Sequence, residues 1–282
     1  MIVVKNVFLS VKDFTVSGEE FDLIVDERLN ILRTTPVPSN EVIGDYYLSN
    51  DYISHTDRKQ TFFEKVYHLI KLYSLNKKVS LINSYHHKKG VLLDIGCGTG
   101  DFLTCAAKLD WNVLGFEPNS KAKTLAVSKG VEICDDLDTI ENGSVDVLTL
   151  WHVLEHIPDL DAQVQEFVRL LNKQGVLVIA VPNYESYDAT YYKEYWAAYD
   201  VPRHLWHFSK ESLTKLLENY GFQLESIKPM YFDSFYVSLL SEKYKSGRLN
   251  WLKAFRIGCL SNFKARKTMN FSSLIYVFKL KE

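Results

Sequence analysis

The stretch VLLDIGCGTGDF, residues 91–102, decides the fold class of this chain. Four of its first five residues are apolar, which is typical of a buried strand, and glycines follow at positions 96, 98 and 100. Glycine lets a backbone turn sharply and lets a ligand approach closely. A helix is predicted over residues 102–109, and a helix N-terminus offers unbonded N–H groups to an anionic ligand group. The stretch therefore predicts a strand, a ligand-binding loop and a helix in succession.

The same alternation continues downstream. Apolar strands and amphipathic helices follow one another, which indicates a parallel sheet covered on both faces. Strands are predicted at residues 112–116, 131–134, 145–150, 175–181, 222–229 and 272–280. Helices are predicted at residues 120–129 and 160–171, after the N-cap Ser209 as far as Gly221, and in an insertion at 231–269. The predicted fold class is α/β, Rossmann-like and doubly wound, with a mostly parallel sheet.

The region upstream of this sheet has a different pattern. Residues 1–50 alternate short apolar runs with turns, and they predict strands at 21–25 and 29–32 and a loop at 35–40. Residues 51–85 carry apolar side chains at helical spacing. We therefore predict a small N-terminal module at 1–50, a helical lead-in at 51–88 and the main domain at 89–282.

Composition narrows the classes of protein to consider. The net charge of the 282 residues is -2, and a nucleic-acid partner, which usually needs a basic excess, is therefore not expected. The four cysteines form no C-x-x-C pair, which argues against a zinc ribbon and favours free thiols in a reducing cytoplasm. The N-terminus lacks a signal-peptide pattern, and no stretch reaches the roughly 20 apolar residues of a membrane span. We expect a cytoplasmic protein.

The spacing of the glycines separates this loop from other nucleotide-binding loops. A dinucleotide fingerprint reads G-x-G-x-x-G, whereas here the third glycine comes one position early, at Gly100, and Asp101 takes its place. No Gly-Lys-Ser/Thr follows, which excludes a P-loop. Asp94 ends the buried strand, where a carboxylate is costly without a partner. We expect Asp94 to order the glycine loop or to face an ammonium group.

The sequence Asp-Ile-Gly-Cys-Gly-Thr-Gly resembles the first motif of the class I S-adenosylmethionine-dependent methyltransferases. The resemblance extends from about residue 91 to residue 280 and implies the fold of that class and S-adenosylmethionine as the cofactor. It implies that Glu117, with Pro118 beside it, grips both ribose hydroxyls, and that Asp136 and the backbone of Leu137 contact the adenine. The other cofactor-binding residues that it implies are Asp94, Gly96, Cys97, Gly98, Thr99, Gly100, Phe102, Trp151, His152 and Val153. Cys97 would contact the cofactor through its backbone, and its thiol is better explained as a small group that fits the loop.

The stretch Tyr-Asp-Val-Pro-Arg-His-Leu-Trp-His-Phe-Ser, residues 199–209, resembles one subgroup of that family. Related proteins often begin with a zinc-ribbon-like module, which implies that residues 1–50 are a metal-free remnant of it. The stretch follows the fifth strand, near the edge where open α/β sheets bind ligands. Our candidates for binding the methyl acceptor are therefore Tyr195, Trp196, Arg203 and His207. The alternative is that these side chains pack in the core or hydrogen-bond the loop into place.

Histidines are the candidates for acid–base chemistry. His156 or His204 is our candidate for the general base, because imidazole titrates near neutral pH. His152, Glu155 and His156 form an H-x-x-E-H pattern that also occurs in a zinc-protease motif. Pro158 comes two residues after His156 and argues against the long helix that such a motif needs, so we predict no metal site.

Two groups outside the motifs keep two interpretations each. Tyr46, Tyr47, Tyr52 and His55 either fold over the cofactor or belong to the core. The insertion at 231–269 has many Lys and Arg residues against few acids. It either contacts an anionic membrane surface or presents a solvated face.

The predicted reaction is a direct displacement at the methyl carbon of the cofactor. An acceptor oxygen or nitrogen attacks in line with the departing sulfur, and the protein supplies position, desolvation and a base. The predicted acceptor is a small molecule or a compound linked to a glycan or lipid. Two other functions stay open at this point: a non-catalytic S-adenosylmethionine-binding module that regulates or scaffolds, and a nicotinamide-dependent oxidoreductase.

Overall fold

The computed structural model describes residues 6–39, 41–47 and 62–281, with only the backbone of residues 62–68. Within these residues the strands are β1 (Val7–Lys12), β2 (Glu20–Asp26), β3 (Ile31–Thr35), β4 (Val91–Ile95), β5 (Asn112–Phe116), β6 (Glu132–Cys134), β7 (Val145–Trp151), β8 (Leu171–Pro182), β9 (Trp206–His207), β10 (Phe222–Pro229) and β11 (Ser273–Leu280). The α-helices are α1 (Phe62–Tyr85), α2 (Asp101–Ala107), α3 (Ser120–Ser128), α4 (Leu160–Leu170), α5 (Tyr187–Tyr192), α6 (Lys210–Glu218), α7 (Asp233–Ser246) and α8 (Trp251–Thr268). None of these helices combines the length and apolar composition that crossing a bilayer requires.

The larger sheet has seven strands in the order β10-β11-β8-β7-β4-β5-β6. β4 to β8 pair in parallel, and β11 lies antiparallel to both β8 and β10. The predicted mostly parallel sheet is confirmed. Because the carboxyl ends of parallel strands share one edge, the loops after β4, β5, β7 and β8 meet there, and this edge is where open α/β sheets bind ligands.

Apolar side chains cover both faces of this sheet. Successive residues of a strand point to opposite faces, and the fully buried Leu92 and Leu93 of β4 accordingly belong to different apolar clusters. Leu93 shares its cluster with Phe167 of α4 and Leu213 of α6. Leu92 shares its cluster with Val79 of α1. Helices therefore pack on both faces, as a doubly wound architecture requires.

Two element ends show how local contacts set the boundaries. The Oγ of Ser209 accepts from the backbone N–H of Ser212 at 3.1 Å, and the Oγ of Ser212 accepts from the N–H of Ser209 at 2.7 Å. This reciprocal cap confirms the predicted start of α6. β8 begins four residues earlier than predicted, because Leu171 already pairs with Val145 before the register shifts and pairing resumes at Val176.

A smaller sheet lies at the N-terminal side, in the order β1-β2-β3-β9. The predicted strand at 29–32 is shifted to β3, because Asn30 has a φ of 55° and belongs to the turn. β1 was not predicted. Its burial alternates from Phe8 to Lys12, but Val11 is its single buried residue, so the strand buries little apolar surface. β9 comes from the main domain and pairs with β3, Leu32 facing His207. The predicted division at residue 50 stays a proposal.

Candidate functional site

The glycine loop after β4 has the left-handed backbone that its glycines allow. Gly96, Gly98 and Gly100 have φ values of 70°, 54° and 75°. The N–H groups of Gly96 and Cys97 both donate to the carbonyl oxygen of Phe116, at 2.7 and 3.1 Å, which ties the loop to β5. A Cβ at Gly96 would lie 2.4 Å from Cγ2 of Val153, whereas a Cβ at Gly98 would meet no atom within 4 Å. The loop is therefore packed on one side and open at Gly98.

Glu117 lies at the tip of β5, directly against this loop. Its Oε2 accepts from the N–H of Gly98 at 2.8 Å, and its Oε1 accepts from the N–H of Asn119 at 2.8 Å. A carboxylate has about four lone pairs, so two backbone bonds leave it able to accept further bonds from a ligand diol. The structure thus brings the predicted ribose-binding carboxylate beside the open part of the loop, with Pro118 next to it in the chain.

Asp94 ends β4 beneath the loop and is 2% exposed. Its Oδ1 accepts from the hydroxyl of Thr149 at 2.6 Å. Burial raises the pKa of Asp94 to about 7, although the Thr149 hydrogen bond and the nearby charge of Lys78 lower it in part. The Nζ of Lys78 lies 4.1 Å from the ring centre of Trp151. Lys78 was not predicted as a site residue, because α1 lies outside every motif and approaches β4 only through tertiary packing.

The residues predicted to contact the adenine lie on the loop after β6. Asp136 is exposed and accepts from the N–H of Asp138 at 3.0 Å, and Leu137 begins the short turn that follows. Thr99 is held by its hydroxyl, which donates to Asp101 at 3.0 Å. Asp101 also pairs with Lys71 and Lys129. These contacts fix the backbone from Thr99 into α2. The carboxylate of Asp136, on the other loop, is accessible to a ligand.

Cys97 and Phe102 support the loop from the core side. Burial raises the pKa of the Cys97 thiol to about 12, and its Sγ would lie 2.6 Å from a Cβ at Gly115. The Cys97 side chain is therefore a small group packed against β5. The ring of Phe102 meets the ring of Trp151 edge-on, with centroids 5.4 Å apart.

The segment after β7 carries the charged part of the site. His152 has a φ of 58°, with Nδ1 3.4 Å from Oε1 of Glu155 and Nε2 3.2 Å from Oδ2 of Asp233. Burial alone would lower the pKa of His152, but the two carboxylates outweigh it and raise the pKa to about 10. Asp233, from the first turn of α7, was not predicted from the sequence. The imidazole is thus cationic near neutral pH and links the β7 loop to the insertion.

Three side chains from two distant segments meet beside His152. One ligand-capable atom from each of Glu155, His156 and His204 lies within 4.8 Å of the other two. The rings of His156 and His204 are nearly perpendicular, with centroids 4.6 Å apart. Burial, with His156 nearby, holds the pKa of His204 well below its ordinary value. The hydroxyl of Tyr47 lies 3.2 Å from Nδ1 of His156. The two histidines predicted as general-base candidates are therefore neighbours.

The predicted acceptor-binding residues are instead engaged within the protein. Arg203 is 1% exposed, and its guanidinium pairs with Asp13 at 3.0 Å and Asp200 at 2.7 Å. Nε2 of His207 lies 3.0 Å from the hydroxyl of Thr34. These contacts favour the alternative in which Arg203 and His207 hold the loop in place.

The two aromatic candidates, Trp196 and Tyr195, differ in how deeply they are buried. Trp196 is 2% exposed, and its Nε1 donates to Asp188 at 2.8 Å, which favours packing. Tyr195 is half-buried beside Phe14, with ring centroids 5.5 Å apart. Tyr52 and His55 lie outside the described residues.

Comparison with known proteins identifies the family. Residues 66–227 match the model of the methyltransferase domain family. The chain belongs to this family. The ubiquinone biosynthesis O-methyltransferase of Cupriavidus pinatubonensis is 27% identical over 184 residues, which cover 58% of this chain and 72% of the relative. The same-named protein of Escherichia coli K12 is 30% identical over 102 residues, 33% of this chain and 42% of the relative.

Solved structures agree in fold at low sequence identity. Magnesium protoporphyrin IX methyltransferase from Synechocystis, with bound S-adenosylhomocysteine, has a TM-score of 0.56 at 14% identity and covers 86% of this chain and 100% of that chain. A phosphoethanolamine N-methyltransferase from Haemonchus contortus, in complex with S-adenosylmethionine, has a TM-score of 0.51 at 16% identity and covers 73% and 53%. The predictions of a class I fold and of a methyltransferase are confirmed, and the ligands of these structures agree with the predicted cofactor.

Proposed function

We propose that this methyltransferase moves a methyl group from S-adenosylmethionine to an oxygen or nitrogen of a small, hydroxylated or acidic acceptor, free or linked to a glycan or lipid. One observation carries the proposal: Glu117 reaches back to the N–H of Gly98 at 2.8 Å, beside the open part of the glycine loop. A carboxylate, accessible backbone and room for a ligand therefore lie side by side. The carboxylate suits a ribose diol, and the accessible backbone with the space beside it suits an amino-acid tail.

The residues present fit that cofactor. A Cβ at Gly98 would project into open space, which leaves room for close approach of a ligand. Asp94 would face the ammonium group from below, and Asp136 and Leu137 would contact the adenine. Trp151 would wall the methionine end, where its buried Nε1 has no hydrogen-bond partner among the described residues. Gly96, Cys97, Thr99, Gly100, Phe102, Pro118, His152 and Val153 would complete the cradle.

The acceptor would lie on the side of His156 and His204. When the acceptor oxygen attacks the methyl carbon, the new O–C bond forms as the S–C bond breaks, and the hydroxyl proton must leave. An imidazole near the acceptor would take that proton. Arg203, His207, Tyr195 and Trp196 would act by shaping the segment that carries His204.

The finer parts of the assignment belong to the same proposal. We assign the chain to the subgroup with the Pro-Arg-His-Leu-x-His-Phe-Ser stretch, with residues 1–50 as a cysteine-free remnant of a zinc-ribbon-like module. A cytoplasmic location is supported by four free cysteines. Peripheral contact with an anionic membrane is supported by exposed apolar side chains on α8, including Leu252 at 87%, near Lys253 and Arg256.

Calorimetry and a turnover assay test the proposal. Purified protein should bind S-adenosylmethionine and S-adenosylhomocysteine with one site per chain, and S-adenosylhomocysteine should accumulate with some member of a panel of phenols, catechols, sugars and amines. Absence of heat and of a change in Tm with either compound at millimolar concentration would overturn the cofactor assignment. Binding without turnover across the panel would favour a non-catalytic module.

A further inference from the structure

The structure brings together a cluster that the sequence separates. We name Glu155, His156 and His204 the Glu–His–His cluster. Glu155 and His156 belong to the turn after β7, and His204 lies 48 residues beyond His156, in the segment that leads to β9. One ligand-capable atom from each residue, a ring nitrogen or a carboxylate oxygen, lies within 4.8 Å of the other two. Two imidazoles and a carboxylate of this kind form a common ligand set for divalent transition metals.

Both imidazoles are held by hydrogen bonds from Nδ1 to a backbone carbonyl oxygen, the arrangement found for many metal-binding histidines. Nδ1 of His156 lies 3.0 Å from the carbonyl oxygen of Arg203, and Nδ1 of His204 lies 2.9 Å from that of Ala198. A carbonyl oxygen only accepts, so each Nδ1 carries the proton and each Nε2 carries a lone pair. Metal-ligating histidines characteristically donate their other N–H to a backbone carbonyl or a carboxylate in this way.

The carboxylate of Glu155 lacks the partners that its burial demands. Glu155 is fully buried, and neither of its oxygens has a hydrogen-bond partner among the described residues. Oε1 of Glu155 lies 3.4 Å from Nδ1 of His152, and the same ring also contacts Asp233. A bound cation would satisfy the open oxygens of Glu155.

We infer that the Glu–His–His cluster binds a divalent first-row transition metal, with Zn²⁺ as the best fit to two nitrogens and one carboxylate. The ligand distances in such sites are about 2.0–2.2 Å, so the three side chains need to close in by on the order of 1 Å. This site replaces the sequence-based expectation of no metal. That expectation weighed His152 with His156, whereas the fold pairs His156 with His204 and leaves His152 to the carboxylates.

The metal site deepens the proposed function, on which its chemical role rests. Three protein ligands leave a coordination position open for an acceptor oxygen, and His156 is the half-exposed member from which the acceptor would enter. With both imidazoles bound to the metal, neither can act as the general base, and the metal takes over the activation of the acceptor. A hydroxyl bound to the metal loses its proton to water more readily. The oxyanion then attacks the methyl carbon, the S–C bond breaks, and the pair of electrons stays on sulfur. The acceptor class is therefore a hydroxyl compound able to bind a metal, such as a catechol or an α-hydroxy carbonyl compound.

Metal titration of the full chain tests this inference. Chelator-treated protein is titrated with Co²⁺, whose visible absorption reports nitrogen ligation, and with Zn²⁺ in a calorimeter. We expect one ion per chain and a loss of affinity of at least about 10–100-fold in Glu155→Gln and His204→Gln. His86→Gln, which removes an imidazole paired with Asp146 elsewhere in the structure, is the matched control and should bind as the wild type does. If His204→Gln does not fold, the half-exposed His156→Gln gives the same readout.

Each outcome has one consequence. Binding of S-adenosylhomocysteine without binding of Co²⁺ or Zn²⁺ would overturn the metal site and leave the proposed function standing. Metal binding that survives in Glu155→Gln would also overturn it, as would equal competition by Mg²⁺, which prefers an all-oxygen site. Metal binding without any binding of S-adenosylmethionine would support the site and overturn the proposed function. Faster methyl transfer to catechol on adding Zn²⁺ would support both.

Discussion

At the scale of single residues, Glu117 carries the assignment of the cofactor site. Its carboxylate joins the glycine loop to β5 and keeps oxygen lone pairs free for a diol. We expect Glu117→Ala to weaken binding of S-adenosylmethionine by about 1–3 kcal/mol, the scale of hydrogen bonds to a charged group. Calorimetry measures the effect. Glu132→Ala, which removes an exposed carboxylate from β6, should bind like the wild type, and an equal loss in both variants would remove Glu117 from the site.

Asp94 makes a prediction about pH. Its pKa is raised to about 7, mainly by burial, so the folded protein keeps a proton there that the unfolded chain releases near pH 4. This contribution to stability is therefore present at low pH and is lost as the pH rises to about 7.

An ammonium group facing Asp94 would favour its charged form. Cofactor binding near pH 6 should then release about one proton per chain, and affinity should fall by up to about tenfold per pH unit below pH 7. Calorimetry between pH 5.5 and 7.5, in buffers of different ionisation enthalpy, measures both. Asp94→Asn should bind more weakly and lose the pH dependence. An affinity that is flat with pH in the wild type would separate Asp94 from the ammonium group.

At the scale of elements, alanine substitutions in and outside the glycine loop distinguish two effects. One is the loss of stability from backbone strain, and the other is the loss of cofactor affinity from a blocked binding site. Gly98 and Gly130 both have positive φ, and a Cβ at either would meet no atom within 4 Å. Alanine at each position should therefore cost a similar 1 kcal/mol or so of stability. Only Gly98→Ala should also lose cofactor affinity, because its Cβ would occupy the open side of the loop. Equal affinities in the two variants would contradict the proposed cradle.

The elements also show how far sequence patterns reach. The strands at 91–95 and 112–116 were predicted with their observed bounds, because each is a short apolar run ended by turn residues. The N-terminal sheet was harder, since β1 buries little and β9 is two residues long. In the site, Glu117 contacts the glycine loop, which agrees with the order of β4 and β5 in a parallel sheet. Lys78 and Asp233 reach the site by tertiary packing, which no local pattern encodes.

At the scale of the whole molecule, one buried ion pair joins the turn between β1 and β2 to the segment that leads to β9. The side chains of Asp13 and Arg203 are 0% and 1% exposed, with 3.0 Å between them. Removing one partner of a buried pair costs about 3–5 kcal/mol, so Asp13→Ala should lower the free energy of unfolding by that amount and leave the glycine loop intact. Denaturant unfolding measures it. Glu20→Ala, which removes an exposed carboxylate from β2, is the control, and a similar small loss in both would contradict the inferred role of Asp13.

The shared sheet has a practical consequence for recombining this chain with its relatives. β3 is completed by β9, and Thr34 contacts both His204 and His207. An N-terminal segment taken from a relative would therefore bring its own β3 and pack it against a β9 segment from a different sequence. Functional chimeras should require three crossover points, so that residues 199–209 travel with residues 1–50. In evolutionary terms, substitutions in residues 1–50 and in residues 199–209 are expected to occur together, although the cofactor-binding segment separates the two stretches in the sequence.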